Sequence, residues 1–149
     1  MRITLQRVKQ ATVQVNLKEL SHIDQGLLLF VGIAPTDDER IMTKMAQKIS
    51  KLRIFEDPNG KMNLNVQQVG GSLLSISQFT LYADVHKGNR PSFQDAAKPD
   101  LANRLYQDFN QQLKQIAKVP VATGSFGADM QIQAINDGPV TINLELEHA

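Results

Sequence analysis

The sequence predicts a single α+β domain over residues 1–149, with mixed, largely antiparallel sheets forming a barrel-like core and two main helices. Three observations lead there. Several segments alternate apolar and polar residues with the period of two expected of half-buried strands. Two longer segments place apolar residues every three or four positions, as amphipathic helices do. No internal repeat, low-complexity tract or linker composition divides the chain. A chain of this length can bury about 70% of the surface it exposes when unfolded, enough for one real core.

Ile3 and Leu5 alternate with Arg2, Thr4 and Gln6 and mark a first strand; Val13, Val15 and Leu17 mark a second. Arg7 shares the parity of Ile3 and Leu5, so a regular strand aims it at their apolar face. Two outcomes are open. The side chain curls out to water, or its guanidinium is held inward to grip backbone carbonyls or a carboxylate. The link Lys18-Glu19-Leu20-Ser21-His22 has no glycine or proline to name its turn type. Leu27 to Ile33 is a near-continuous apolar run, expected of a strand covered on both faces.

Thr36-Asp37-Asp38-Glu39 has the spacing of a capping box, with Thr36 as the cap. Ile41, Met45, Ile49 and Leu52 then mark the buried face of a helix to about residue 52. Lys44, Lys48 and Lys51 form a row on another side, expected to be solvated. Asp57-Pro58-Asn59-Gly60 is a turn joining Leu52–Phe55 to Lys61–Val66. Gly70-Gly71 opens an apolar strand from Leu73 to Tyr82, and residues 84–97 read as a polar loop of a length that is often functional. A second helix starts near Pro99, with Lys98 a poor cap, and buries Leu101, Leu105, Phe109, Leu113 and Ile116. Around Asn136-Asp137-Gly138-Pro139, Met130, Ile132 and Ala134 alternate on one side and Val140, Ile142, Leu144 and Leu146 on the other. That pattern predicts a β-hairpin. Pro139 is awkward there, because it removes a backbone donor where the second strand should begin.

Composition limits the function classes. Without cysteine there is no disulfide scaffold, thiolate nucleophile or Cys-based zinc site, and a reducing compartment is expected. The N-terminal residues have no apolar run of signal-peptide length and nothing approaches a membrane span, so a cytoplasmic location without membrane contact is expected. Sixteen basic against fifteen acidic residues give a formal charge of +1, far from the basic excess of a nucleic-acid coat. Any nucleic-acid partner should be held over a small footprint. The chain carries no Gly-x-Ser-x-Gly elbow, Walker loop or dinucleotide fingerprint. His22, His86 and His148 have no metal-ligand spacing, and no metal or cofactor is expected. Ser77-Gln78-Phe79-Thr80 is the densest polar insertion in an apolar strand. Parity puts Ser77 and Phe79 on one face and Gln78 and Thr80 on the other. The strand therefore ends or bulges there, or contributes backbone N–H groups, or simply has a solvated polar end.

These segments together resemble the D-aminoacyl-tRNA deacylases of the bacterial and eukaryotic type, along essentially the whole chain. The carriers are Leu5-Gln6-Arg7-Val8, Phe55-Glu56-Asp57 with Gly60 to Val66, Ser77-Gln78-Phe79-Thr80-Leu81, Arg90-Pro91-Ser92-Phe93, Thr123 to Met130, and Asn136-Asp137-Gly138-Pro139-Val140-Thr141. Each is moderately specific alone; six in order are highly specific. The glycine-free link at 18–22 and Ile142-Asn143 depart from the family pattern. The resemblance implies hydrolysis of the ester joining a D-amino acid to the terminal adenosine of tRNA, with glycyl-tRNA also cleaved. It implies a homodimer in which a cis Gly138-Pro139 enters the partner's site and turns away L-aminoacyl esters. In the same match Arg7 orients the Gly-Pro carbonyls, Ser77, Gln78, Phe79 and Thr80 form the catalytic wall, and Phe126 and Met130 hold the adenine. The tRNA's own 2′-hydroxyl, or alternatively Thr80, would assist hydrolysis. Two other classes remain open: a non-catalytic module binding charged tRNA ends, and a small-ester hydrolase unconnected to RNA.

Overall fold

The computed structural model describes residues 1–148. In chain order it comprises β1 (Arg2–Val15), β2 (Lys18–Ile23), β3 (Gly26–Gly32), α1 (Glu39–Lys51), β4 (Phe55–Glu56), β5 (Met62–Leu64) and β6 (Ser72–Ser77). A 3-10 turn at Phe79–Tyr82, α2 (Pro99–Ala117), β7 (Val121–Thr123) and β8 (Gln131–Glu145) complete it. β1 is the hub of the main sheet and pairs antiparallel with β2, β3 and β8. Beyond β3 the sheet continues in parallel through β6 to β7. The sheet is mixed and nearly closed into a barrel shape, in the expected α+β class.

The first two expected strands are one. β1 runs unbroken from Arg2 to Val15, and its apolar residues serve two cores because its register against β8 shifts between Val8 and Gln10. Ahead of the shift Ile3 and Leu5 enter the larger core; beyond it Ala11 and Val13 join Val8 in the smaller one. A bulge displaces the pleat by one residue, so odd positions change face. The glycine-free link is itself a strand, β2. Asn16 and Leu17, with φ of 52° and 66°, make the two-residue turn before it, the positive-φ geometry usual in tight hairpins. Only Ile23 of the six residues of β2 is buried, so the segment carries no apolar alternation.

The helix α1 is capped by Asp38 rather than Thr36: the Asp38 carboxylate accepts from the Ile41 amide at 2.9 Å. Asp37 is engaged elsewhere, accepting from the Met1 amino group at 2.7 Å and the Ala34 amide at 2.8 Å. α1 buries Ile41, Met42, Met45, Ala46 and Ile49, and α2 buries Leu105, Tyr106, Phe109 and Leu113. The two helices pack side by side over the larger core, where each fully buried aliphatic or aromatic side chain contributes about 1.5–3 kcal/mol. The apolar strand expected from Leu73 to Tyr82 stops at Ser77, and the chain coils into the 3-10 turn. Of the options open at Ser77–Thr80, the strand ends.

The C-terminal hairpin expected around Asp137-Gly138 does not form. β8 is a single strand lying antiparallel along nearly the whole of β1. Its first half pairs Gln131–Asn136 with Gln14–Val8, and its second pairs Thr141–Glu145 with Gln6–Arg2. Between Asn136 and Thr141 four residues face the single residue Arg7, so Asp137-Gly138-Pro139-Val140 forms a large bulge. The alternation on each side is real, but both halves have the same partner. A long enough β1 replaces the hairpin.

Candidate active site

A cleft of about 530 Å³ opens where β6 ends. Its walls come from β3 (Val31), the last residues of β6 (Ile76, Ser77), the 3-10 turn (Phe79), the 84–97 loop with the start of α2 (Phe93 to Ala102), and the segment from Phe126 to Ile132. The interior is mostly apolar, and Lys98 is its single ionisable lining residue. Ser77, Gln78, Phe79, Phe126 and Met130, assigned to the site from the sequence, all line this cleft.

Local hydrogen bonding explains the shape of the polar wall. The Gln78 amide donates to Val31 O at 2.7 Å, one last tie to β3 before the chain leaves the sheet. The turn then closes through the Leu81 amide to Gln78 O at 3.3 Å and the Ala83 amide to Thr80 O at 3.0 Å. Among the described bonds the Phe79 and Thr80 amides have no acceptor, as the leading donors of a helical turn commonly lack one. Thr80 is exposed and does not line the cleft; its Oγ1 lies 2.5 Å from Gln78 Nε2, which donates to it. None of the three histidines lines the cleft. His22 meets Asp24, His86 meets Asp84, and His148 meets Asp38, all at the surface.

The opposite wall rests on α2. Tyr106 is buried, its hydroxyl donates to Ser75 O at 2.7 Å, and its ring lies 6.1 Å from that of Phe126. Burial raises the Tyr106 pKa, so the phenol stays protonated and keeps donating. Gly124 lets Met130 approach closely: a Cβ at Gly124 would stand 2.5 Å from the Met130 sulfur. Phe79 and Phe93 meet edge to face at the cleft with ring centres 5.1 Å apart.

Arg7, Gly138 and Pro139 lie apart from the cleft. Arg7 is turned inward, only 4% exposed, and its guanidinium spans two carbonyls. Nε donates to Asp137 O at 3.0 Å and Nη1 to Ile54 O at 2.7 Å; the Asp137 carboxylate stands 3.5 Å from Nε. The bulge is thereby fastened from beneath. Gly138 and Pro139 are exposed, the bond between them is cis, and Gly138 has a φ of 128° that side-chain-bearing residues rarely adopt.

Sequence reasoning assigned no role to Phe93, Lys98, Ala102 or Tyr106. Phe93 carried a signal, since it stands in the long loop and in the Arg90-Pro91-Ser92-Phe93 motif. Tyr106 carried none, being one more apolar-face residue of a helix.

A family model described as D-Tyr-tRNA(Tyr) deacylase matches residues 4–145. A solved structure described as "c-Myc DNA Unwinding Element Binding Protein" is 38% identical, with 99% of this chain and 100% of that one covered and a TM-score of 0.93. Another, of a probable eukaryotic D-amino acid tRNA deacylase, is 17% identical, with 97% and 98% covered and a TM-score of 0.84, which speaks to the fold. With the family model spanning nearly the whole chain, the protein belongs to the D-Tyr-tRNA(Tyr) deacylase family and is an aminoacyl-tRNA ester hydrolase acting on D-aminoacyl-tRNA.

Proposed function

We propose that the enzyme works as a cytoplasmic homodimer that seats the terminal adenosine of tRNA between Phe126 and Met130. The ester then lies against Ser77, Gln78 and Phe79, with Thr80 just outside them, and the partner subunit's Gly-Pro bulge closes over the α-carbon. The main support is the convergence of Ser77, Gln78, Phe79, Phe126 and Met130 on one mostly apolar cleft in a chain of this family. Water adds to the ester carbonyl, and the unpaired amide of Phe79, which lines the cleft, receives the developing oxyanion. The bond from carbonyl carbon to the ribose 3′-oxygen then breaks. That oxygen takes one proton of the added water, the other passes to solvent, and the D-amino acid leaves as its carboxylate.

An aminoacyl ester is already activated. One oxyanion donor supplies about 2.7–4 kcal/mol and good positioning about 7–11, so no general base on the protein is required. The terminal 2′-hydroxyl of the tRNA, beside the reacting ester, guides the water. Thr80 makes a poor nucleophile, because no histidine lines the cleft and its oxygen already accepts from Gln78. Discrimination is by rejection: the rigid carbonyls of the partner's bulge leave room for hydrogen, but not a side chain, on the L side. D side chains of many kinds pass, and so does glycine.

Incubation with D-Tyr-tRNA, L-Tyr-tRNA, Gly-tRNA and D-Tyr methyl ester, following release of the free amino acid, tests this directly. Release from D-Tyr-tRNA and Gly-tRNA alone is expected. Binding without release would identify a tRNA-end module, and rapid cleavage of the methyl ester a general esterase. A D-Tyr-tRNA ending in 2′-deoxyadenosine should be a very poor substrate; wild-type turnover of it would restore Thr80 as the nucleophile.

A further inference from the structure

The cleft accounts for one nucleoside and its ester, yet the Phe93 ring and Lys98 at its lip are left without a role. Phe79 and Phe93 are 53% and 37% exposed in the single subunit, large aromatic surfaces at the rim of the apolar cleft. Their edge-to-face contact, with ring centres 5.1 Å apart, favours one relative orientation of the two rings and leaves a face of each open. Lys98, exposed on the same lining, has no carboxylate partner among the described residues. It stands at the N-cap of the 19-residue α2, where the helix dipole adds positive potential that Asp100 in the first turn only partly offsets. The loop supporting this lip is fixed at both ends. Asp84 and Ser92 exchange backbone hydrogen bonds at 2.7 and 3.0 Å, and the Ala97 amide donates to Ile33 O at 2.9 Å.

A lone cation and a held aromatic face beside a nucleoside cleft suit the phosphodiester and base that precede that nucleoside in a single strand. We infer that the Phe79–Phe93–Lys98 lip is a second nucleotide subsite. Lys98 takes the phosphodiester 5′ to the terminal adenosine, and the Phe93 face stacks the penultimate base. This rests on the adenosine placement proposed above and extends it by one nucleotide. It supplies the small RNA footprint that a net charge of +1 allows. Stacking tolerates any base, so the lip reads strand continuity rather than sequence.

The test uses wild type, Lys98→Met, Phe93→Leu and Phe93→Tyr on three D-tyrosyl esters: of adenosine, of adenosine 5′-methylphosphate, and of the dinucleotide CpA. For wild type, kcat/KM should rise about fivefold on adding the phosphate and about 5- to 100-fold more on adding the base, mostly through KM. Lys98→Met should erase the first step and keep the second, and should lower the salt slope of log kcat/KM on CpA by about 0.7. Phe93→Leu should shrink the second step and keep the first, and Phe93→Tyr should restore it. A purely structural role for Phe93 would lower all three substrates alike. Equal wild-type kcat/KM on the three esters, or steps that survive both substitutions, would overturn the subsite. Absence of D-Tyr-tRNA cleavage by wild type would instead remove the hydrolase reading on which it stands.

Discussion

Replacing Arg7 by methionine keeps a side chain of similar length and removes the fork that joins Ile54 O to Asp137 O. At 4% exposure, water does not easily substitute for the lost donors. Two charge-assisted hydrogen bonds are worth about 3–6 kcal/mol gross. Relief from burying a guanidinium returns part of that, leaving about 2–4 kcal/mol. For a domain of this size, roughly 2–4 °C per kcal/mol, the melting temperature should fall by about 4–16 °C. The functional consequence should differ in kind. Asp137 is the first residue of the bulge, so Gly138 and Pro139 lose their brace while the cleft is untouched. The ratio of D-Tyr-tRNA to L-Tyr-tRNA hydrolysis should therefore drop by more than the D rate itself. Arg7→Lys should recover some stability but little discrimination, because one ammonium cannot span both carbonyls. Thermal melts at fixed protein concentration, with paired D and L rate measurements, decide it. A methionine variant melting within about 2 °C of wild type, or one that melts early with unchanged discrimination, would refute the role given to Arg7.

Two further expectations follow from other parts of the molecule. Gly124→Ala places a Cβ 2.5 Å from the Met130 sulfur and 3.1 Å from Ile76 Cδ1. The flexible thioether must swing away, so KM for the tRNA ester should rise several-fold with little change in melting temperature; an unchanged KM would mean that Met130 does not shape the adenosine site. At the sheet edge, Arg2 holds the Glu145 carboxyl below its ordinary range, first by hydrogen bonding and also by charge. Its contribution is complete above the ordinary value of 4.5 and is lost as pH falls through the lower folded value. With side chains 39% and 48% exposed, the pair is worth below about 1 kcal/mol. Urea melts of wild type and Glu145→Gln should differ by that amount at pH 7 and converge as the pH falls below the lowered folded value; a gap that does not shrink on acidification below 4.5 would contradict the assignment.

Elements with a strong local signature were legible in the sequence. The stripes Ile41-Met45-Ile49 and Leu105-Phe109-Leu113 are the buried faces of the two helices, and Pro99 begins the second. The Asp57–Gly60 turn is present, with the Asp57 carboxylate accepting from the Asn59 and Lys61 amides. Elements defined by partners were not legible. β7 is three half-buried residues made a strand by parallel pairing with β6, and β2 is a polar ribbon made a strand by β1. The capping box failed for a similar reason. Thr36 and Asp38 both have capping chemistry, and the one chosen depends on Asp37, which is held by Met1, a residue 36 positions away.

The site divides along the same line. Gln78 and Thr80 could be named from their motif. That β6 ends at Ser77 and frees two amides depends on the Gln78 amide reaching Val31 O. The Gly-Pro segment shows how a wrong local reading can conceal a better physical one. A hairpin tip is joined to its fold at one end and can swing as a unit. A bulge within one strand is clamped on both flanks, here by Gln131–Asn136 against Gln14–Val8 and by Thr141–Glu145 against Gln6–Arg2. With Arg7 bound beneath it, little freedom remains. A device that rejects L esters by steric exclusion must hold its carbonyls fixed against a methyl-sized intruder, since a yielding wall would trade rejection for induced fit. The clamped bulge also cannot fold back into its own cleft, which is lined by Met130 and Ile132 from the other end of the same segment. In the proposed mechanism, Gly138-Pro139 therefore acts on an ester held by another copy of the chain. Mixed dimers of an Arg7→Met subunit and a Phe126→Ala subunit should therefore contain one site with both lesions and one with neither, recovering about half of the wild-type activity per dimer with a D-to-L ratio close to that of wild type.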